Sequence, residues 1–201
     1  MKQLVIIGAS GHGKVVADIA RLRDYDKICF LDDNETLTKC NGYPVIGKSG
    51  SYSEFDCDFA VAIGDPKIRQ KVMEQLHAAG KNTPVLVHPN AVVGENVEIG
   101  EGTILVAGAV VNPSVKIGKG CIINTCSSVD HDCLLEDFVH IAVGAHVAGT
   151  CTIGERTWIG AGATVSNNIH ICKDCMIGAG AVVVCNIGNT GTYIGVPAKV
   201  I

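Results

Sequence analysis

The second half of the chain is dominated by a hydrophobic position that returns every six residues without a break. Seventeen residues form this series, and all are valine, isoleucine or leucine: Val87, Val93, Ile99, Leu105, Val111, Ile117, Ile123, Val129, Leu135, Ile141, Val147, Ile153, Ile159, Val165, Ile171, Ile177 and Val183. A helix repeats every 3.6 residues and an ordinary strand every two, so neither explains a period of six. A strand and a turn repeated three times per coil do explain it. The pattern therefore predicts a left-handed parallel β-helix over residues 87–201.

A second series runs two positions ahead of the first and contains mostly small residues: Ala91, Val97, Thr103, Ala109, Val115, Cys121, Ser127, Cys133, Val139, Ala145, Cys151, Thr157, Ala163, Ile169, Cys175, Ala181 and Ile187. We expect the large aliphatics to fill a triangular prism and the small residues to line its corners. Glycine often follows the aliphatic residue, as at Gly94, Gly100 and Gly154, where we expect the chain to turn tightly. A β-sandwich would instead show irregular loops and no hydrophobic position that returns every six residues.

Residues 1–86 follow a different pattern, in which apolar runs alternate with helical spacing. The runs at 4–7, 28–31 and 59–63 are typical of parallel strands that are covered on both faces. Apolar residues recur at helical spacing between residues 15 and 22. The sequence therefore predicts a Rossmann-like βαβ domain over residues 1–86, followed by the β-helix over residues 87–201.

A second helix is predicted after the run at 59–63. Asp65 is placed as its N-cap, Pro66 as its first residue, and Gly80 near its end. Its predicted buried face carries the apolar residues Ile68, Val72, Met73 and Leu76. The segment 34–58 is predicted to be a loop with one short strand at residues 44–46.

Ligands of such parallel sheets bind beyond the carboxyl ends of the strands. Those ends carry the glycine-rich turn 8–13, the pair Asp32 and Asp33, and Gly64. The turn reads G-x-x-G-x-G, which differs from the dinucleotide pattern G-x-G-x-x-G, so a nicotinamide cofactor is poorly supported. The turn could bring backbone close to a phosphate, and the acids could accept hydrogen bonds from a ribose or a base. Alternatively, the glycines only make a tight turn and the acids are solvated.

Composition narrows the function classes. The net charge is −4 and no basic run occurs, so nucleic-acid binding has little electrostatic support. The N-terminal apolar run is short and ends in glycines, as expected of a buried strand, and no run approaches membrane-spanning length. Several of the ten cysteines occupy the small-residue series, and Cys172 and Cys175 lack a second pair that would complete a zinc site. We expect a reduced, cytoplasmic protein that needs no metal.

The histidines are the candidate acid–base groups, because imidazole titrates near neutrality. His131 occupies an outward turn position of its hexad. His140 and His146 hold the same hexad position on different faces of the prism, and His170 holds it four hexads after His146. Spacing alone does not distinguish any of them from an ordinary surface histidine.

Six motifs, in order along both domains, carry a family resemblance: GASGHG (8–13), FLDD (30–33), AIGD (62–65), INTCSSVDHDC (123–133), FVHIAVGAHVAG (138–149) and GVPAK (195–199). The chain resembles the bacterial sugar O-acyltransferase family, which includes the sialic-acid O-acetyltransferases. Within it, the chain is most similar to enzymes that N-acetylate UDP-linked 4-amino-4,6-dideoxy sugars.

The resemblance implies roles for particular residues. His131 corresponds to the catalytic base, and Asp132 to an acidic partner that is glutamate in the most similar members. His140 corresponds to an acetyl-CoA contact. Gly144, Ala161 and Ala179 fall where the family lines the CoA groove. The nucleotide-sugar site corresponds to six residues: Ser10, Gly11, His12, Asp32, Asp33 and Gly64.

The resemblance thus implies a homotrimer that transfers acetyl groups from acetyl-CoA to the amine of a nucleotide-activated sugar. O-acetylation of sialic acid or another sugar is the first alternative. A γ-type carbonic anhydrase would need His131, His140 and His146 to converge on zinc across a protomer interface. A nucleotide-sugar sensor without catalytic activity is the third alternative. The residues do not distinguish uridine from guanosine nucleotides.

Overall fold

The computed structural model describes residues 1–201, and its contacts divide the chain into two compact units, Met1–Pro89 and Asn90–Ile201. None of its helices is long and apolar enough to cross a membrane. The fold class predicted from the hexads and the strand–helix alternation is confirmed: a Rossmann-like unit precedes a left-handed parallel β-helix.

The first unit is a five-stranded sheet in the order β3-β4-β2-β1-β5, in which only the β3–β4 pair is antiparallel. Its elements are β1 (Gln3–Ile7), α1 (Gly11–Leu22), β2 (Lys27–Leu31), β3 (Lys39–Cys40), β4 (Tyr43–Gly47), β5 (Asp58–Val61), α2 (Pro66–Ala78) and β6 (Leu86–Val87), of which β6 is not part of this sheet. The three predicted parallel strands are adjacent in the sheet, in the order β2-β1-β5, with β5 at one edge. Their side chains are almost fully buried, as expected for a sheet covered on both faces.

The segment 34–58 contains more structure than predicted. Instead of one short strand, it holds the β3–β4 hairpin and a 3₁₀ helix at Ser49–Glu54. The two-residue connection Asn41-Gly42 has positive φ at both positions, of 50° and 82°. An Asn-Gly pair in this conformation is a strong hairpin signal that the sequence analysis overlooked.

Helix α2 begins as predicted but presents a different buried face. Asp65 caps it by accepting a 2.9 Å hydrogen bond from the Ile68 backbone N–H, and Pro66 is its first residue. Met73 and Leu76 are buried, but Ile68 is 52% exposed and Arg69 is buried in its place. The prediction was wrong at Ile68 because Arg69 takes the buried position, and a guanidinium can be buried when backbone carbonyls accept hydrogen bonds from its N–H groups.

The second unit stacks two-residue strands into the three faces of the β-helix. Face 1 contains β9 (Ile104–Leu105), β12 (Ile122–Ile123), β15 (His140–Ile141), β18 (Trp158–Ile159) and β21 (Met176–Ile177). Face 2 contains β7 (Val92–Val93), β10 (Val110–Val111), β13 (Ser128–Val129), β16 (His146–Val147), β19 (Thr164–Val165) and β22 (Val182–Val183). Face 3 contains β8 (Glu98–Ile99), β11 (Lys116–Ile117), β14 (Leu134–Leu135), β17 (Thr152–Ile153) and β20 (His170–Ile171). Strands β23 (Thr192–Ile194) and β24 (Lys199–Val200) form an antiparallel hairpin that extends face 1.

The prism interior follows the two sequence series closely. The aliphatic residues from Leu105 to Val183 are buried, and so are the small residues from Thr103 to Ile187. The first coil is the exception: Val93 is 40% exposed and Ile99 is half-buried. All ten cysteines are free, and those of the small-residue series pack inside the prism.

The glycines that follow the aliphatics serve a different purpose from the predicted one. Their φ angles are not positive, but an added Cβ would lie 2.4–2.9 Å from atoms of the next coil at Gly94, Gly100 and Gly154. They are required for close packing between coils. The left-handed residue of each hexad stands immediately before the small residue, from Asn96 to Gly180.

Candidate active site

His131 lies at the corner between faces 2 and 3, in the turn between β13 and β14. Its Nδ1 atom is 2.8 Å from Oδ2 of Asp132, and both side chains are more than half exposed. A carboxylate at this nitrogen accepts the Nδ1 proton, so Nε2 carries the lone pair. The pair has the arrangement of a general base with an orienting acid.

The left-handed conformation of Asp132 explains how the shorter acid reaches the ring. Its φ is 57°, at the left-handed position of its hexad. Aspartate tolerates this conformation better than most residues. Its backbone N–H donates to the Pro113 carbonyl in the preceding coil at 3.2 Å, which fixes the turn. Aspartate therefore makes here the contact that the resemblance assigns to glutamate.

The pKa of His131 lies above its ordinary value. The main cause is the hydrogen bond to Asp132, followed by the charge of Asp130. Both carboxylates favour the imidazolium over the neutral ring. His131 is therefore a stronger base than an ordinary surface histidine, because its protonated ring is stabilised by the two carboxylates.

Gly149 lies beneath the His131 ring, and sequence reasoning did not identify it. A Cβ at Gly149 would come within 2.7 Å of the ring atoms Cε1 and Nε2. Gly149 follows His131 by eighteen residues, or three hexads, so it occupies the equivalent position one coil later. Because one coil is eighteen residues, a search of the sequence one coil after His131 would have identified Gly149.

His140 lies on face 1, where it is only 5% exposed despite its outward hexad position. Its Nε2 atom is 3.2 Å from Nδ2 of Asn124, and its ring centroid is 4.3 Å from that of Trp158. The neighbouring coils therefore hold the ring in one orientation. Asn124 and Trp158 are contacts that the sequence analysis did not name.

Gly144, Ala161 and Ala179 line up along the corner between faces 1 and 2, one per coil. Ala161 and Ala179 are exposed, and a Cβ at Gly144 would meet nothing within 4 Å. Their backbone runs in register: Gly162 donates to Val143, and Gly180 donates to Ala161, both at 2.9 Å. This corner offers a narrow strip of accessible backbone between small side chains.

The two groups of predicted residues do not meet within one chain. His131 and Asp132 lie at one corner of the prism, whereas His140, Gly144, Ala161 and Ala179 lie on face 1 and its corner with face 2. The whole of face 2 separates the two corners. His146, on face 2, hydrogen-bonds Ser128 Oγ through Nδ1 at 2.8 Å. No group of three or more His, Cys, Asp or Glu side chains in the chain is arranged to hold a metal ion.

The other predicted residues surround the carboxyl end of the sheet in the first unit. Helix α1 begins at Gly11, with Ser10 as an N-cap whose side chain makes no capping hydrogen bond. Gly8 has φ of 104°, and a Cβ at Gly13 would come within 2.2 Å of the Gly8 carbonyl oxygen. A Cβ at Gly11 would meet nothing within 4 Å. Gly8 and Gly13 are thus required by the fold, whereas Gly11 has open space beside it.

Asp32 and Asp33 brace the surrounding backbone. Asp32 accepts hydrogen bonds from the backbone N–H groups of Ala9, at 2.7 Å, and Asn34, at 2.9 Å. Asp33 accepts one from the Ser49 N–H at 3.0 Å. Both acids therefore fix the shape of the loops at the strand ends, in addition to any contact with a ligand.

The buried Arg69 hydrogen-bonds Gly64, and its charge acts on His12. The Nη1 atom of Arg69 donates to the carbonyl oxygens of Ile63, at 2.8 Å, and Gly64, at 2.7 Å. Burial and the nearby Arg69 charge lower the pKa of His12 to about 4, so its ring is neutral at physiological pH. Its Nε2 atom is buried and has no hydrogen-bond partner.

Comparison with known families agrees with both units. The family described as "PglD N-terminal domain" matches residues 3–76, and the family described as "Bacterial transferase hexapeptide (six repeats)" matches residues 150–185. The class of protein that fold and site define is therefore a hexapeptide-repeat transferase.

Solved structures match the whole chain. It is similar to the acetyltransferase domain of PglB from Neisseria gonorrhoeae in complex with acetyl coenzyme A, with 43% identity, a TM-score of 0.96, and coverage of 100% of this chain and 99% of that one. It is also similar to PerB from Caulobacter crescentus in complex with CoA and GDP-perosamine, with 35% identity, a TM-score of 0.94, and coverage of 100% and 98%. The chain belongs to the family of bacterial sugar acyltransferases that join a PglD-type domain to a hexapeptide-repeat β-helix, which confirms the resemblance found in the sequence.

A curated relative, UDP-N-acetylbacillosamine N-acetyltransferase of Bacillus subtilis, is 32% identical over 113 residues. The match covers 53% of this chain and 52% of the relative, so the chain spans about half the length of this relative in the alignment. The matched proteins include both UDP-linked and GDP-linked sugar enzymes.

Proposed function

We propose that this chain is an acetyl-CoA-dependent N-acetyltransferase that acts on the amino group of a nucleotide-linked 4-amino-4,6-dideoxy sugar. The observation that carries the proposal is the His131–Asp132 pair, whose 2.8 Å contact leaves Nε2 as the basic atom of an exposed ring. The named activities of the matched relatives support the same reaction class. We assign the acetylated nucleotide sugar to bacterial glycan biosynthesis.

The reaction needs positioning and one proton acceptor. The amine nitrogen attacks the carbonyl carbon of the acetyl thioester, and a nitrogen–carbon bond forms as the carbon–sulfur bond breaks. The amine proton passes to Nε2 of His131. The sulfur leaves as the CoA thiolate and takes up a proton to become the free thiol.

For the acetyl donor, we propose the corner that carries Gly144, Ala161 and Ala179. Its small side chains and accessible backbone suit an extended pantetheine arm. His140, held by Asn124 and Trp158, lies on strand β15 of face 1, which leads into this corner, and would contact the thioester end. The PglB acetyltransferase domain, which was solved with acetyl coenzyme A, supports this donor.

We propose that the working form is a homotrimer. The base and the donor corner lie on opposite sides of face 2, so neither corner alone contains both groups. In a cyclic trimer, the His131 corner of one protomer can face the Gly144 corner of the next, and three equivalent sites result. Flat β-helix faces are well suited to such side-by-side packing.

For the nucleotide part of the acceptor, we propose the first unit. Backbone N–H groups at the start of α1 can receive a diphosphate, and Gly11 leaves room for close approach. Asp32 and Asp33 would lie beside the nucleoside. We place the reaction in the cytoplasm, where the ten free cysteines would stay reduced.

The direct test incubates the purified protein with acetyl-CoA and either UDP-linked or GDP-linked 4-amino-4,6-dideoxyhexose. Thiol release with a matching gain of one acetyl group on the sugar is expected. Nucleotide-sugar binding without thiol release would overturn the proposal in favour of a sensor. Zinc-dependent hydration of carbon dioxide without acetyl transfer would instead favour the carbonic anhydrase alternative.

A further inference from the structure

The turn that carries His131 is held from both neighbouring coils. The Asp132 N–H donates to the Pro113 carbonyl in the coil before, at 3.2 Å. The Thr150 N–H in the coil after donates to the His131 carbonyl at 2.9 Å. These bonds fix the backbone on both sides of the imidazole. Neither of them uses the backbone N–H of His131, which donates to a side chain instead.

That side chain is Asp130. Its Oδ1 accepts the His131 N–H at 2.8 Å and also accepts a hydrogen bond from Nδ2 of Asn112 at 2.6 Å. Asn112 precedes Asp130 by eighteen residues and therefore stands at the same corner, one coil earlier. These two hydrogen bonds, that of Asn112 first, hold the pKa of Asp130 below its usual value. Asp130 is thus ionised at the pH at which a histidine base works.

We propose that Asp130, anchored by Asn112, is a second positioning carboxylate for His131. Asp132 holds the ring at Nδ1, and Asp130 holds the main chain from which the ring projects. The two negative charges also stabilise the imidazolium that forms when Nε2 accepts a proton. This inference rests on the proposed role of His131 as the base.

The surroundings of His131 make the assignment specific. Asn112, Pro113, Gly149 and Thr150 contact this turn from the neighbouring coils, and none of them carries a charge. Asp130 and Asp132 are therefore the charged groups that act on the ring. A hydrogen-bonded charge at this distance favours the protonated form of histidine.

The test separates the charge of Asp130 from its anchoring. Asp130→Asn removes the charge and keeps an oxygen that can accept the His131 N–H. Asn112→Ala keeps the charge and removes the anchor. Glu98→Gln is the control, because it removes one carboxylate from face 3, where Glu98 pairs with Lys116 at 3.0 Å.

In each variant, NMR follows the titration of the His131 Cε1–H without any substrate, and kinetics give kcat between pH 5 and 9.

We expect Asp130→Asn to lower the His131 pKa and to move the rising limb of the pH–rate profile in the same direction. We expect Asn112→Ala to reduce kcat about tenfold through misplacement of the ring, while KM for acetyl-CoA is unchanged. Glu98→Gln should match the wild type. An unchanged His131 pKa in Asp130→Asn, or an unchanged kcat in Asn112→Ala, would overturn the proposal.

The NMR readout also keeps this inference distinct from the proposed function. It measures the ring in the protein alone, so it is valid whatever the acceptor is. A shifted His131 pKa together with no acetyl transfer to any amino sugar would count against the proposed reaction and leave the Asp130 assignment standing. If Asp130→Asn fails to fold, Asn112→Ala tests the anchoring through kcat.

Discussion

The Nδ1 atom of His131 lies 2.8 Å from Oδ2 of Asp132, the residue that follows it in the chain. Adjacent side chains seldom face each other, because an extended chain points them in opposite directions. Here the left-handed backbone of Asp132, with φ of 57°, turns its carboxylate back toward the ring. The recurring left-handed position of the β-helix hexad thus builds the candidate catalytic pair.

The first prediction concerns Asp132→Asn. The pKa of His131 is raised chiefly by Asp132, so the base is deprotonated, and the reaction fast, only above this raised value. Without the carboxylate, the pKa falls and the rising limb of the pH–rate profile moves to lower pH. The plateau rate should fall about tenfold to a hundredfold, because the imidazolium loses its partner. A profile that keeps its wild-type midpoint would contradict the role of Asp132.

The second prediction concerns Gly149→Ala. The new methyl group would meet the His131 ring at 2.7 Å, so the ring must move away from its position over the coil. We expect kcat to fall about a hundredfold with little change in either KM, because a displacement of about 1 Å has that effect on positioned groups. Gly188→Ala is the control, since its Cβ meets nothing within 4 Å. Equal rates for the two variants would show that the ring position is unimportant.

The third prediction concerns Gly11→Trp. Nothing lies within 4 Å of a Cβ at Gly11, so the fold should tolerate the indole, which would cover the start of α1. Calorimetry should show nucleotide-sugar binding weakened at least tenfold, with acetyl-CoA binding unchanged. Gly50→Trp, another open glycine of the same unit, should bind both ligands normally. Undiminished nucleotide-sugar binding by Gly11→Trp would rule out this placement.

The fourth prediction tests whether two protomers share each site. His131→Ala removes the base, and Ala161→Trp blocks the exposed donor corner, so each variant alone should be inactive. Co-expressed in equal amounts, they should recover about a quarter of wild-type activity, because one site in four pairs an intact base with an intact corner. No recovery in verified mixed oligomers would place the base and the donor within one chain.

The sequence predicted the β-helix well because its interior repeats once per hexad. Each inward position accommodates only an aliphatic or small residue, so the period of six can be recognised in the sequence alone. The buried Arg69 was not predicted, because a charged residue on an amphipathic helix is normally exposed, and only the loop carbonyls at Ile63 and Gly64 make its burial possible.

The candidate site was predicted in part. His131 and Asp132 were found through a motif, and their contact follows from the left-handed position in their hexad. Asn112 and Gly149 were missed because they lie eighteen residues away on either side of Asp130 and His131, although one coil of the repeat brings them together. The positions of His140 and the Gly144 corner relative to His131 depend on which face each hexad occupies. The spacing of the motifs alone did not reveal which hexad lies on which face.

The central claim is that this chain acetylates the amine of a nucleotide-linked amino sugar with His131 as the base. The most direct measurement offers UDP-linked and GDP-linked 4-amino-4,6-dideoxyhexose and free sialic acid in one vessel with acetyl-CoA, and follows each product by mass spectrometry. The account predicts faster acetylation of a nucleotide amino sugar. It also predicts a loss of about 10²–10⁴ in rate for His131→Ala, whose thermal stability should be unchanged. Faster acetylation of sialic acid, or near-wild-type turnover by His131→Ala at neutral pH, would contradict it.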